Sequence, residues 1–304
     1  MLRRTRFVCV SDTHNCPVKL PKGNVLVHAG DLTNQGTYSE LSKAVKWLEA
    51  ADFEAKIVVA GNHDITLDSA FYSQHGQAFH NQGLQSHDDC LSLLTGSPSI
   101  TYLCHSAATV RLSCPDGPRT GFTVFGSPYS PRCGLWAFGY DAPAPAYPGQ
   151  PTPWDCIPLA TDVVVTHTPP RGHCDQGAGF WPLDACSRLA REKHVLPWTD
   201  AGMGNKKLSL VNLCNKDKGS ASRSTLGHDS SNAPVLAHDD AAVCGPDGDL
   251  DLMQWHGKSL TAQLGRRETW VVNAAIMKSR YPHKGGKQFY KAMVVDVDLP
   301  VWAG

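Results

Sequence analysis

Residues 57–64 read IVVAGNHD, a short apolar run that changes abruptly into polar residues. A run of this length, bounded at once by glycine and polar side chains, predicts a buried strand. The strand is followed by an amide, an imidazole and a carboxylate, at Asn62, His63 and Asp64. Polar groups in a loop that a rigid strand holds in place are typical of a functional site.

Three other apolar runs are followed by side chains of the same kind. The runs lie at residues 7–10, 25–28 and 162–165. The side chains that follow them are Asp12 and His14, then Asp31, then His167. Asp12 and His14 are two residues apart, so they point to the same side of an extended chain. Open α/β sheets bind ligands outside the carboxyl ends of their strands, and we expect these side chains to meet there.

The segment between the runs at 25–28 and 57–60 is predicted to be a helix. Thr37 and Glu40 have the spacing of a capping box. The apolar residues after them recur at helical spacing, at Leu41, Ala44, Val45 and Leu48. A strand, a helix and a second strand in succession make the two strands parallel, so their carboxyl ends lie at one edge of the sheet.

The predicted edge collects a set of oxygen and nitrogen donors. The set comprises Asp12, His14, Asp31, Asn62 and His167, with His63 and Asp64 nearby. Carboxylates, imidazoles and an amide without a thiolate suit divalent Mn, Fe or Zn, and also Mg. With one carboxylate shared, the set can hold two ions about 3.5–4 Å apart. Such a pair activates water against a phosphoryl group, so the protein needs no covalent nucleophile.

The composition excludes several classes of protein. The 28 basic residues balance the 28 acidic residues, so no nucleic-acid polymer or anionic membrane is expected as a partner. The 11 cysteines contain no CxxC pair, and the apolar runs are short, which disfavours a disulfide framework, a zinc ribbon and a membrane span. The apolar run at 7–10 is too short for a signal peptide. We predict a cytoplasmic protein, and the oligomeric state stays open.

The chain is predicted to form one domain over residues 1–304. Residues 142–153 contain five prolines and predict a surface loop. Residues 201–258 are rich in Gly, Ser, Asp and Lys without periodicity, which predicts a low-complexity, flexible insertion. The basic, glycine-bearing segment 281–287 is predicted to be a surface turn, with contact to a substrate phosphate as the alternative.

Four motifs together resemble, in order and spacing, those of the calcineurin-like metallophosphoesterases. They are DTH at 12–14, GDLT at 30–33, GNHD at 61–64 and THTPP at 166–170. Among these enzymes the chain looks most like the small fungal and animal branch that has GNH and THxPP segments. The resemblance covers residues 6 to 194 and returns at 268–276 and 294–302. It implies a four-layer αββα sandwich, in which helices flank two mixed β-sheets.

The resemblance also implies a role for each residue of the edge. By this comparison the first metal is held by Asp12 and His14, the bridge is Asp31, and the second metal is held by Asn62 and His167. His63 would donate a proton to the leaving oxygen or stabilise the charge of the transition state. Asp64 would orient His63 by accepting a hydrogen bond from its other ring nitrogen.

One motif of the family is not found in this sequence. Family members have a Gly-His-x-His segment after a further strand, and its histidines complete the two metal shells. Here Gly-His occurs only at 172–173 and 227–228, and neither is part of such a segment. No strand with this ending fits between the helix predicted at 182–193 and the polar tract. We therefore expect one strand fewer and one imidazole fewer per metal, which weakens metal binding.

Three functions are compatible with these patterns. The preferred one is a phosphoesterase that hydrolyses a phosphodiester or phosphomonoester in a small phosphorylated molecule or a nucleotide. The attacking group would be a hydroxide activated by two metal ions, and the activity would be reduced. The second is a metal- or nucleotide-binding homologue with slow turnover or none. The third is an internally truncated product that lacks a strand.

Overall fold

The computed structural model describes residues 1–141, 153–158, 160–168, 208–212, 268–279 and 282–302. Its contacts divide the chain into two units, Met1–Val211 with Trp270–Gly304, and Asn212–Thr269. The first unit contains the elements described below, apart from Asn212 and residues 268–269, which are the ends of two strands that cross the division. The predicted loop and insertion lie outside the described residues, apart from Pro153 and residues 208–212. A single domain over the whole chain stays a prediction.

The first part of the chain alternates strands with helices. In chain order its elements are β1 (Leu2–Val10), β2 (Val25–Ala29), α1 (Tyr38–Ala50), β3 (Ala55–Val59), a 3-10 helix (Ile65–Leu67), α2 (Ser69–Phe79), α3 (His87–Thr95) and β4 (Ile100–Tyr102). None of the helices in the described part of the chain has the length and apolar character needed to cross a membrane.

The later part of the described chain consists almost entirely of strands. They are β5 (Ser106–Arg111), β6 (Gly121–Ser127), β7 (Ser130–Pro131), β8 (Gly139–Tyr140), β9 (Val163–Thr166), β10 (Leu208–Asn212), β11 (Glu268–Val272) and β12 (Met293–Pro300). A second 3-10 helix, Pro153–Cys156, precedes β9.

Two mixed sheets form the body of the first unit. The larger sheet has the strand order β12-β1-β2-β3-β4, and the second sheet has the order β5-β6-β9. In the larger sheet β1 to β4 are parallel, whereas β12 runs antiparallel to β1, with Leu2 opposite Pro300 and Cys9 opposite Met293. In the second sheet β6 is antiparallel to β5 and parallel to β9.

Helix α1 forms where the sequence predicts it. Thr37 accepts a hydrogen bond from the backbone of Glu40, and the Glu40 side chain accepts one from the backbone of Thr37, so the capping box is confirmed. The four apolar residues of the predicted stripe are the buried residues of the helix. The helix connects β2 to β3, which are parallel, as predicted.

Side chains of the larger sheet alternate between two hydrophobic cores. Val58 belongs to the core that the sheet forms with the helices, together with Leu41 and Leu94. Its neighbour Ile57 belongs to the core that the larger sheet shares with the second sheet, together with Phe122. The prediction of an α/β sandwich of two mixed sheets is therefore confirmed. The helix predicted at 182–193 lies outside the described residues.

Candidate metal centre

Strands of both sheets end at one edge, and the predicted donors lie on the loops that follow them. Backbone hydrogen bonds connect these loops, because the Asp12 amide donates to Gly30 and the His14 amide donates to Asp31, at 3.0 and 3.1 Å. Ligand atoms of Asp12, His14 and Asp31 lie within 4.8 Å of one another. His167 follows β9, so this donor comes from the second sheet rather than the larger one.

The Asp31 carboxylate occupies the middle of the centre. Its Oδ2 lies 3.5 Å from Nε2 of His14, and its Oδ1 lies 3.4 Å from Nε2 of His167. Only 5% of the Asp31 side chain is exposed. Each carboxylate oxygen therefore faces a different imidazole in a setting with little water.

Backbone carbonyls fix the orientation of both imidazoles. Nδ1 of His14 donates to the Thr33 carbonyl at 2.8 Å, and Nδ1 of His167 donates to the Ala29 carbonyl at 2.9 Å. A carbonyl only accepts, so the proton of each neutral ring is on Nδ1. The lone pair of each Nε2 then faces the centre, which is the arrangement of a histidine that binds a metal.

The charges of the centre favour a cation. Burial lowers the pKa of His167, but the carboxylates of Asp31 and Asp12 outweigh burial and raise the pKa above its ordinary value. Asn62 adds a neutral oxygen, because its Oδ1 lies 3.0 Å from Nε2 of His167. For His14 burial prevails over the attraction of Asp31 and lowers the pKa. The oxygen atoms of Asn62 and Asp31 and the Nε2 lone pair of His167 repel one another at these distances. A proton or a metal ion between them reduces this repulsion.

The backbone of the centre is strained at three of its donors. Asp12, His14 and Asp31 have φ values of 57°, 42° and 55°. Residues with a Cβ adopt this left-handed region only at a cost, which the surrounding structure must offset. Strain of this kind is common in functional loops.

Two glycines allow the loops to approach one another. A Cβ on Gly30, which has a φ of 99°, would lie 2.5 Å from Nδ1 of His167. A Cβ on Gly61 would overlap the amide nitrogen and carboxylate of Asp31, and would lie 2.8 Å from Cε1 of His167. The glycines of the GDLT and GNHD motifs are thus required by close packing at the centre.

His63 lies beside the donors and is held by two hydrogen bonds. Its backbone amide donates to Oδ1 of Asp31 at 2.9 Å, and its ring Nδ1 donates to the carbonyl of Asn34 at 2.7 Å. The ring packs edge-to-face on His14 at 4.8 Å, and Trp136 covers it at 4.1 Å. The ring is therefore adjacent to the centre and has a fixed orientation.

The predicted contact between Asp64 and His63 is wrong. Asp64 is buried, and its carboxylate accepts from the amides of Gly61, Leu32 and Thr33 at 2.8, 3.2 and 2.9 Å, and from the Thr33 hydroxyl at 2.7 Å. A 3-10 helix begins directly after Asp64, and these bonds hold the side chain in the interior, away from the His63 ring. Burial, with the charge of Asp31, raises the pKa of Asp64 to about 6.

The structure adds Asn34 and Lys287 to the rim of the centre. Nζ of Lys287 donates to the carbonyl of His14 at 3.1 Å and to Oδ1 of Asn34 at 2.5 Å. The preferred prediction for 281–287 is a surface turn, and no local sequence pattern indicates that Lys287 contacts a residue 253 positions away. His173 and His228, the histidines of the two Gly-His pairs, lie outside the described residues.

Much of this chain is similar in sequence to known proteins. A family model described as calcineurin-like phosphoesterase matches residues 5–198. Over 219 residues the chain is 40% identical to the probable rhamnogalacturonate lyase C of Emericella nidulans. The aligned region is 69% of this chain and 18% of that protein. Over 180 residues it is 37% identical to the human metallophosphoesterase domain-containing protein 1. The aligned region is 56% of this chain and 50% of that protein.

A nematode relative matches over more of its length. UPF0046 protein K07C11.7 of Caenorhabditis elegans is 35% identical over 224 residues, or 70% of this chain and 71% of that protein. The chain spans half or less of the length of the fungal and human relatives. The family model covers well over half of the chain, and the resemblance seen in the four motifs is confirmed. The chain belongs to the calcineurin-like phosphoesterase family.

Proposed function

We propose that this chain hydrolyses phosphodiesters or phosphomonoesters with two divalent ions, of Mn, Fe, Zn or Mg. The proposed substrate is a small phosphorylated molecule or a nucleotide, and the proposed location is the cytoplasm. Membership of the family supports a metal-dependent phosphoesterase. The proposed turnover is reduced, because the sequence lacks a Gly-His-x-His segment.

The position of Asp31 is the observation that carries this proposal. Its two oxygens face two different imidazoles, at 3.5 and 3.4 Å from Nε2 of His14 and His167. A carboxylate in such a position offers one oxygen to each of two neighbouring cations. Asp12 would complete one position with His14, and Asn62 would complete the other with His167.

The donors present fit the proposed ions. Carboxylate and amide oxygens with imidazole nitrogens suit Mn, Fe, Zn and Mg, and both Nε2 lone pairs are already directed to the centre. When bound, a pair of divalent ions polarises a phosphoryl group and lowers the pKa of water. The protein holds the donors in place through the carbonyls of Thr33 and Ala29.

His63 is the proposed proton donor. The Asn34 carbonyl fixes Nδ1, so a protonated ring offers its Nε2–H to the oxygen of the leaving group. General acid catalysis of this kind contributes roughly 10²–10⁴-fold to the rate. Asp64 has a different role in the proposal, because it positions the Gly61 and Thr33 backbones and does not contact His63.

The test measures metal content and turnover in the same preparations. Elemental analysis after equilibration with Mn gives the metal per chain, and aryl esters of phosphate report hydrolysis. His63→Asn should keep the metal and reduce turnover roughly 10²–10⁴-fold. Asp31→Asn should lose both, whereas Asp88→Asn, an exposed carboxylate on α3, should match the wild type. Loss of metal in His63→Asn would contradict the division between ligands and acid.

A metal- or nucleotide-binding homologue with slow turnover is the second candidate. The observation that favours it is the lack of a Gly-His-x-His segment in the sequence. Two metal equivalents per chain support the hydrolase, whereas none or one supports the binding protein. In the hydrolase we expect weak Mn binding, with the Asp12, His14 and Asp31 position filled first because it has both carboxylates. An internally truncated product would instead lack cooperative thermal unfolding.

A further inference from the structure

The loop between β7 and β8, residues 132–138, places a tryptophan against the ring of His63. The centroid of the Trp136 ring lies 4.1 Å from that of His63, with 34° between the two planes, so the faces of the rings are in contact. The His14 ring meets the same imidazole edge-to-face, at 4.8 Å and 85°. The bond from Nδ1 to the Asn34 carbonyl is the third contact that holds the imidazole.

The loop that carries Trp136 is tied down on both sides. β7, before the loop, pairs with β8, after it. The Phe138 amide donates to Oδ2 of Asp68 at 2.7 Å, and Oδ1 of Asp68 accepts from the Phe71 amide at 2.9 Å as the N-cap of α2. Ala137 and Phe138 are buried. The residues that follow Trp136 are therefore fixed to the start of α2, and the indole has a firm backbone support.

The indole also has support from the protein interior. Phe79, the last residue of α2, lies 5.6 Å from Trp136, with 50° between the ring planes. Both side chains are half-buried and pack against the core that the larger sheet forms with the helices. Aromatic contacts of this kind favour one relative arrangement of the rings. Phe79, Trp136 and His63 thus form a row of three rings that ends at the metal centre.

We propose that Trp136 is a positioning residue for proton transfer by His63, an inference that rests on the proposed function. The proton passes from Nε2 to the leaving oxygen as the P–O bond breaks, and the neutral ring regains a proton from water. This transfer needs about 2.6–3.2 Å between the two atoms. A carbonyl accepts over a broad range of directions, so the Asn34 bond alone does not fix the ring plane. The indole face removes that freedom.

Two aryl phosphodiesters with different leaving groups test this role in single-turnover experiments. Phenolate needs the proton in order to leave, whereas dinitrophenolate leaves without it. An aromatic pair contributes a factor of about 2–12 to the population of one arrangement, so Trp136→Leu should slow hydrolysis of the phenyl ester by about that factor. Hydrolysis of the dinitrophenyl ester, metal content and Tm should stay at wild-type values. An equal decrease for both esters would overturn the inference.

A double-mutant cycle shows whether Trp136 acts through His63. In a His63→Asn background Trp136→Leu should slow the phenyl ester no further, because the group that the indole positions is absent. Trp136→Phe keeps an aromatic face and should retain more of the rate than Trp136→Leu. Leu135→Ala is the matched control, because this neighbour in the same loop is 49% exposed and should leave the rate unchanged. Additive effects in the cycle would show that Trp136 does not act through His63.

NMR of the full chain gives a readout that does not depend on turnover. With isotope-labelled histidine, the ring resonance that disappears in His63→Asn belongs to His63. The ring current of the indole should place this resonance upfield of those of exposed histidines, and Trp136→Leu should move it downfield. If Trp136→Leu does not fold, a wild-type His63 resonance among those of exposed histidines contradicts the inference. Wild-type turnover in His63→Asn would instead contradict the proposed function, and the NMR result would still show whether Trp136 holds the ring.

Discussion

Replacing Gly61 with alanine tests whether the close approach of the loops creates the metal centre. The new Cβ would overlap the amide nitrogen and Oδ1 of Asp31 and would lie 2.8 Å from Cε1 of His167. Ordinary contact with a Cβ begins at 3.4 Å, so His167 has to retreat by about 0.6 Å, the difference of the two distances. Asp31 has to move further, and the clashing nitrogen belongs to the backbone rather than to a flexible side chain.

The magnitude of the effect follows from these displacements. Overpacking a tight interior costs about 1–3 kcal/mol, which corresponds to a decrease of roughly 2–12 °C in Tm for a domain of this size. A misplacement of about 1 Å near the reacting groups can cost 10²-fold in rate. We therefore expect Gly61→Ala to fold with a lower Tm, to bind Mn more weakly and to turn over about 10²-fold more slowly.

Three measurements check this prediction. Scanning calorimetry gives Tm, equilibrium dialysis against Mn gives metal affinity, and an aryl phosphodiester gives turnover. Gly83→Ala is the matched control, because a Cβ at Gly83 has no atom within 4 Å and should leave all three unchanged. A folded Gly61→Ala protein with wild-type Mn affinity and turnover would refute the assignment of Asp31 and His167 to the metal centre.

Metal removal, pH and the rim lysine give three further predictions. EDTA should lower Tm, because a ligand at 100 times its Kd contributes about 2.7 kcal/mol, and an unchanged Tm would argue against a bound metal. Burial lowers the pKa of His28 to about 3, so the unfolded chain takes up a proton that the fold excludes. Its contribution to stability is therefore complete above the ordinary pKa of about 6.5 and is lost as the pH falls towards 3. Between pH 7 and 4.5 the free energy of unfolding, measured in urea, should fall by about 2–3 kcal/mol more in the wild type than in His28→Gln. Lys287→Met should raise KM for a phosphate ester, since the ammonium lies at the rim of the centre. The control is Lys284→Met, which changes an exposed lysine and should leave KM unchanged. Equal KM values for the two variants would count against a contact between Lys287 and the substrate.

The parts of the fold that local patterns determine could be predicted from the sequence. The apolar run at 57–60 and the capping box of Thr37 and Glu40 involve neighbouring residues, and the structure confirms the strand and the helix. The meeting of the five donors follows from the rule that parallel strands end at one edge. These predictions need only the type of each element and its direction.

Side-chain partners across long separations could not be predicted in this way. Asp64 accepts hydrogen bonds from Leu32 and Thr33, which are 32 and 31 residues away, because the pairing of β2 with β3 brings the two loops together. The sequence identifies a carboxylate beside His63 but contains no signal for these partners. The contact of His105 with Cys156 spans 51 residues and depends on how β5, β6 and the second 3-10 helix pack.

The pairing of β1 with β12 has a consequence during synthesis. Arg6 of β1 and Asp296 of β12 are 290 residues apart in the chain, and their side chains form a paired ion contact at 2.8 Å. At about 5–20 residues per second, a ribosome makes β12 roughly 15–60 s after β1. Throughout that interval the nascent larger sheet has an open edge along β1, with unpaired backbone donors and acceptors. The nascent chain is therefore more exposed to aggregation along this edge until β12 emerges and pairs with β1.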